Sequence, residues 1–259
     1  IADMPPSDAV ILNNMFCQPD KVMLRKGSKW HATGLTDPVE TLAAYNSANG
    51  TAELFAATPT DIYDATIAGA VGAAVVSGQN SGRWQWINFA TPGSSYLYMV
   101  NGTDKPELYN GTTWVAVDGV SVPAITGVTT TNLVSIMAHG QRVFFIEKDT
   151  LRFWYLPVDS VGGAASSFDL TSLCVRGGYL VAMCSWTIDA GAGLDDHAVF
   201  ITSEGEVLGY RGTDPNSPAA WGLVGIFYLG RPIGRRCVMQ YGADILIITE
   251  DGVVPLSAA

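Results

Sequence analysis

The sequence predicts an all-β fold, a β-propeller built from repeated antiparallel hairpin blades. Three observations predict it. Five times along the chain an apolar strand runs into a short polar turn and an apolar strand returns. With Phe55, Tyr98, Phe144, Phe200 and Ile247 as equivalent positions, the repeats lie about 43, 46, 56 and 47 residues apart, which is blade spacing. Gly and Pro, 28 and 13 residues, are spread along the whole chain, as turns between many short strands require. A lone hairpin cannot bury its apolar face in water, whereas hairpins stacked as blades can.

The elements follow in order. Residues 9–12 read as an apolar strand, and 22–24 as a second one running into the basic cluster Arg25, Lys26 and Lys29. Residues 36–45 read two ways. Thr36 and Pro38 suit a short helix, while Val39, Thr41 and Ala43 alternate as in a strand. Residues 1–50 are therefore set apart as an N-terminal segment that offers a ring-closing strand, and 51–259 as the blades. The first hairpin runs from Leu54 to Tyr63 around the turn 58–61. Trp84, Trp86 and Asn88 then alternate on one face of a strand. The second hairpin turns at 101–104, and a further strand, 112–117, follows Asn110-Gly111. Residues 125–134 read as a crossing between blades. The third hairpin turns at 147–150, the fourth at 203–206 and the fifth at 250–252. Residues 159–167 and 190–193 read as loops, and both fall in the longest repeat. The last returning strand finishes as the sequence ends. That leaves two readings, a ring barely complete or part of a longer protein.

Composition narrows the function. The formal net charge is −10, which opposes tight binding to nucleic acid phosphates. Charged residues make up 15%, below the typical quarter. No run of 18 apolar residues exists, so no membrane-inserted helix is expected. Cys17, Cys174, Cys184 and Cys237 lack zinc spacing and read as buried thiols, with a Cys174–Cys184 disulfide left open. Asp195, Asp196 and His197 are adjacent on a strand, so their side chains alternate between faces and form no metal site. Glu147, Asp149, Glu204, Glu206, Glu250 and Asp251 sit in hairpin turns, where Asp and Gly suit the backbone, not in a shared cleft. No phosphate loop and no nucleophile elbow occurs. No catalytic, cofactor-binding or metal-binding residue is expected, and the chain reads as no enzyme. The seven tryptophans read as core between twisted blades. Arg231, Arg235 and Arg236 read two ways. They contact an acidic partner or phosphate, or they are turn arginines that pair with nearby acids.

The strings 210–217, 221–225, 230–236 and 251–257 carry a resemblance, together with Arg25-Lys26-Gly27, His31-Ala32-Thr33-Gly34-Leu35 and Val39-Glu40-Thr41-Leu42. The chain resembles the tail nozzle or hub proteins, of the tail-tube and DNA-stabilisation type, of short-tailed bacteriophages. The resemblance implies a structural virion protein, made in the host cytoplasm, in a ring of six copies below the portal and adaptor. Double-stranded DNA would pass through that ring without sequence-specific binding. Inward loops are then expected to carry acids, and Arg231, Arg235 and Arg236 to form a subunit interface. The alternative is a carbohydrate-binding or glycan-hydrolysing propeller for host attachment, with acids and aromatics converging on the channel mouth. A third reading is a scaffold propeller that binds peptides on one face.

Overall fold

The computed structural model describes residues 11, 13–17, 21–189 and 194–258. Five antiparallel sheets follow one another as the blades of a propeller. Blade I holds Thr41–Asn46, Ala52–Ala57, Asp61–Asp64 and Val76–Ser77. Blade II holds Gln85–Ala90, Ser95–Val100, Glu107–Tyr109 and Trp114–Ala116. Blade III holds Leu133–His139, Arg142–Glu147, Arg152–Tyr155 and Ser166–Asp169. Blade IV holds Leu180–Asp189, Leu194–Thr202, Glu206–Gly212 and Trp221–Tyr228. Among the described residues blade V has three strands, Val238–Tyr241, Asp244–Thr249 and Gly252–Pro255.

The hairpins read from the sequence are the second and third strands of every blade. Phe55, Tyr98, Phe144, Phe200 and Ile247 all stand on second strands, opposite Asp64, Leu108, Tyr155, Leu208 and Val254. The boundary at residue 50 is corrected, because Thr41–Asn46 pairs with Ala52–Ala57 and opens blade I. Alternation beat the helix signals there, since Thr41, Ala43 and Tyr45 are buried and the residues between them are not. Residues 159–167 are not wholly loop. Ile125–Thr126 pairs in parallel with Gly163–Ala164, and Ser166 begins the outer strand of blade III. Ala32–Thr33 pairs in parallel with Gly69–Ala70 in the same way. In both cases the segment entering a blade is stapled to the connection between that blade's third and fourth strands. Apart from residue 11, the strand read at 9–12 lies outside the described residues, as do the ring-closing role it was to serve and the loop 190–193.

Apolar side chains fill four of the spaces between blades. Ala43, Tyr45, Phe55, Trp84 and Leu97 join blades I and II. Phe89, Tyr98, Leu133 and Phe145 join II and III. Phe144, Phe153, Phe200, Tyr210 and Trp221 join III and IV. Val181, Ile201, Val207, Ile245 and Ile247 join IV and V. Among the described residues no such cluster joins V back to I. Trp84, Trp86 and Asn88 do share a face, and all three reach blade I. Trp86 Nε1 donates to the Leu42 carbonyl at 2.9 Å, Asn88 Nδ2 to that of Ala44 at 2.8 Å, and the Trp84 amide to Thr41 Oγ1 at 3.0 Å.

Six tryptophans pack in or against these clusters, whereas Trp30 is 84% exposed. Cys174 and Cys184 belong to different clusters and form no disulfide. Burial pushes the Cys174 thiol up to about 11, so it packs as an unreactive apolar group.

Candidate functional site

Every linker that enters blades II to V crosses the hairpin turn of the blade it enters, and polar side chains hold it there. Before blade II, the Asp104 carboxylate accepts the amides of Asn80 and Ser81 and the side-chain amides of Asn80 and Asn101. Before blade IV, the fully buried Glu206 carboxylate accepts the amides of Val175 and Arg176 at 3.0 and 3.1 Å. Before blade III the Lys148 amide donates to the Asn132 carbonyl at 2.8 Å. Before blade V the Glu250 amide donates to the Arg231 carbonyl at 2.9 Å. Buried amides must find acceptors, so these bonds fix the linkers on one face of the propeller. The acids of the hairpin turns thus differ in role, since Glu206 serves as a buried cap.

The linker into blade V carries the three arginines, and each reaches a different place. Arg231 pairs with Glu204 of blade IV at 2.6 Å. Arg235 pairs with Asp149 of blade III at 3.4 Å. Arg236 crosses to blade I and to the start of blade II. Its guanidinium donates to the Glu40 carbonyl at 2.9 Å, Thr41 Oγ1 at 2.5 Å and the Trp84 carbonyl at 3.0 Å. Burial holds the Arg236 guanidinium below its ordinary value, and the nearby Arg83 cation adds to that effect while Glu40 opposes it. The pairing of turn arginines with nearby acids accounts for Arg231 and Arg235. Arg236 instead closes the ring through backbone carbonyls.

Beneath this strap lies a cavity of about 420 Å³. The first residues of inner strands contribute Gln85 and Val134, the second hairpin turn gives Asn101 and Thr103, and the linkers give Arg83, Arg235 and Arg236. No carboxylate and no aromatic ring lines it. Of the acids near the linkers, Asp104 and Glu206 cap backbone amides, while Glu204 and Asp149 pair with Arg231 and Arg235. Sequence reading singled out two of the cavity's three arginines and missed Arg83. Its place just before the buried Trp84, at the entry to an inner strand, was the available signal.

Other candidates dissolve into structure. Among the described residues no group of three or more His, Cys, Asp or Glu side chains is placed to hold a metal. The His197 ring lies 6.3 Å from that of Trp186. His139 is buried, with Nε2 2.7 Å from the Gly212 carbonyl, and burial lowers its proton affinity.

No known protein family matches the sequence, and no curated protein does. Solved structures do match. The chain is similar to a BBS1N chain in complex with ARL6DN in a lead-soaked crystal, with TM-score 0.53, 12% identity and 91% of this chain covered. A mercury-soaked crystal of the same complex gives TM-score 0.51, 12% identity and 86% coverage. The likeness is of fold alone. This chain spans 66% and 65% of the length of those two chains. The SapL1 lectin in complex with alpha methyl fucoside matches at TM-score 0.45, with 14% identity, over 83% of this chain and 78% of the lectin. Propellers host many unrelated activities, so function is argued from the site.

Proposed function

We propose that this propeller is a structural subunit of a phage tail, forming a ring through which DNA leaves the virion below the portal and adaptor. The resemblance motivates the reading, and one observation carries it. Apolar side chains stand exposed on the outermost strand of blade IV and on the first and third strands of blade V. Leu223, Val224 and Tyr228 lie on the outermost strand of blade IV, and Met239, Tyr241 and Val253 on blade V. Exposed apolar groups gathered this way suit contact with another protein. Among the described residues Gly252–Pro255 is an edge strand with no fourth strand beside it, a further invitation to pairing. Repeated heterologous contacts that close give a ring. Arg231 keeps a side chain that is 62% exposed beside its pair with Glu204, so a neighbouring subunit could reach it.

Cryo-electron microscopy of particles from the source, with mass spectrometry of the same fraction, tests the proposal. A stoichiometric ring on the DNA exit axis is the expected result. Particles that lack the chain overturn it. Charge reversal at Arg231 is expected to weaken ring assembly, and intact assembly counts against its interface role.

A second reading rests on Trp30. Its exposed ring borders a shallow cavity of about 430 Å³ shared with Thr33, Asp37 and Pro38. An aromatic face beside a carboxylate suits sugar binding. A glycan array probed with wild type and Trp30→Ala tests it, and signal that depends on Trp30 is the supporting result.

A further inference from the structure

We propose that the cavity at the propeller mouth is a binding site for a compact polyanion of the phosphate class, gripped by Arg83, Arg235 and Arg236. The inference does not depend on the tail reading. Three guanidinium groups line one cavity in a protein whose net charge is −10. Random placement of scarce cations in an acidic chain would disperse them. Here the fold gathers them from two linkers that are far apart in sequence.

The charge is incompletely matched. Among the described residues Arg235 alone of the three has a carboxylate ion-pair partner, Asp149, while Glu40 acts on Arg236 without pairing with it and Asp104 stands behind the wall, bonded to Ser81 and Asn101. Glu40 Oε2 is already engaged by the Gly82 amide at 3.1 Å. Arg236 spends its donors on two carbonyls and a hydroxyl, which leave its charge in place. Arg83 and Arg236 repel each other. The Arg83 guanidinium has no hydrogen-bond or ion-pair partner among the described residues. A bound polyanion would satisfy Arg83 and relieve that repulsion.

The walls suit such a ligand. Gln85 and Thr103 present side-chain donors that make no hydrogen bond among the described residues. Guanidinium forks match the oxygens of phosphate, and charge-assisted bonds to them are stronger than neutral ones. A volume of about 420 Å³ lies within the range of small-ligand sites and holds a pyrophosphate or a phosphorylated small molecule. The cavity lacks the aromatic platform on which bases of single-stranded nucleic acid stack.

The test is calorimetric titration of sodium pyrophosphate into the full chain at constant ionic strength, on wild type, Arg83→Gln, Arg83→Lys and Lys26→Gln. Saturable binding is expected in the wild type. Arg83→Gln should weaken it by at least about tenfold, the size of one lost charged hydrogen bond. Arg83→Lys should weaken it less, and Lys26→Gln, in the separate basic cluster, should leave it unchanged. The Arg83 side chain is exposed, so equal thermal unfolding midpoints verify that the variants fold. Absence of saturable binding, or equal losses in Arg83→Gln and Lys26→Gln, overturns the site. Citrate that binds as tightly as pyrophosphate overturns the phosphate assignment.

Discussion

The junction between blades III and IV and the seam between blades V and I solve the same problem with opposite chemistry. At III–IV, Phe153 and Phe200 stack with centroids 4.3 Å apart, Tyr210 and Trp221 stack at 5.1 Å, and the cluster is buried. At V–I the facing strands keep apolar groups in water. Leu42 is 58% exposed, Met239 59% and Tyr241 66%. The described bonds that hold this seam are those of the Arg236 guanidinium. Apolar burial scales with area and tolerates no solvent, whereas a guanidinium works with solvent present but offers only a few bonds. Among the described residues this seam alone relies on a guanidinium in place of an apolar cluster.

The contrast is broken most directly at its strong side. Phe153→Ala removes a ring stacked on Phe200 and flanked by Phe144, Phe168 and Trp221. Denaturant unfolding should show a loss of about 3–5 kcal/mol. A loss near zero would mean that this junction opens before global unfolding.

At the weak side, Arg236→Gln removes bonds to Glu40, Thr41 and Trp84. It should cost about 2 kcal/mol, the value of losing a charged donor from several acceptors. Hydrogen exchange should rise in Thr41–Asn46 and Val238–Tyr241 before it rises in Leu133–His139. Uniform protection across all three strands would show that the seam is held by something other than this guanidinium.

A buried acid sharpens the comparison from a third place. Burial raises the Glu107 carboxyl from 4.5 to about 7, with the Asp104 charge adding to the shift. The folded state therefore keeps this proton to higher pH than the unfolded state does. Stability contributed by the group is full below the unfolded value and is lost as pH rises from about 4.5 to about 7. Glu107→Gln should raise stability at pH 8 by about 2 kcal/mol and leave it little changed at pH 4. Chemical unfolding at the two pH values reads this directly, and an equal effect at both would refute the assignment.

The smallest effect is expected on the seam's exposed apolar surface. Met239→Thr should change stability by no more than about 0.5 kcal/mol, because the side chain buries little in the isolated chain. If the same variant lowers ring assembly, the exposed surface is an interface and not an idle patch.

The second and third strands of every blade were legible in the sequence because their apolar residues alternate around turns rich in Gly, Asp and Thr. The remaining strands were harder. Val76–Ser77 is two residues long and carries no period. Ser166–Asp169 hides in a stretch of Ala, Ser and Gly that reads as loop. The arginine cluster was visible as three charges in six residues, but its partners were not. Asp149 lies 86 positions from Arg235, and Thr41 lies 195 from Arg236. Closure of the chain on itself brings them together, and no local pattern records closure. Arg83 stood alone in the sequence and became part of a site only when the linkers converged.

The linkers and hairpin turns crowd one face, and this gives the other face a distinct engineering value. In blades I, II, III and V the turns between the first and second strands lie at the far end of the blade. They are closed by short local bonds such as Ser47 to Thr51 and Thr91 to Ser94. Gly50 and Gly93 have open space around them. An affinity peptide or fluorophore inserted at either position would extend into solvent and leave the caps, the strap and the cavity untouched. The molecule thus offers an attachment end opposite its binding end, and both can be used in the same experiment.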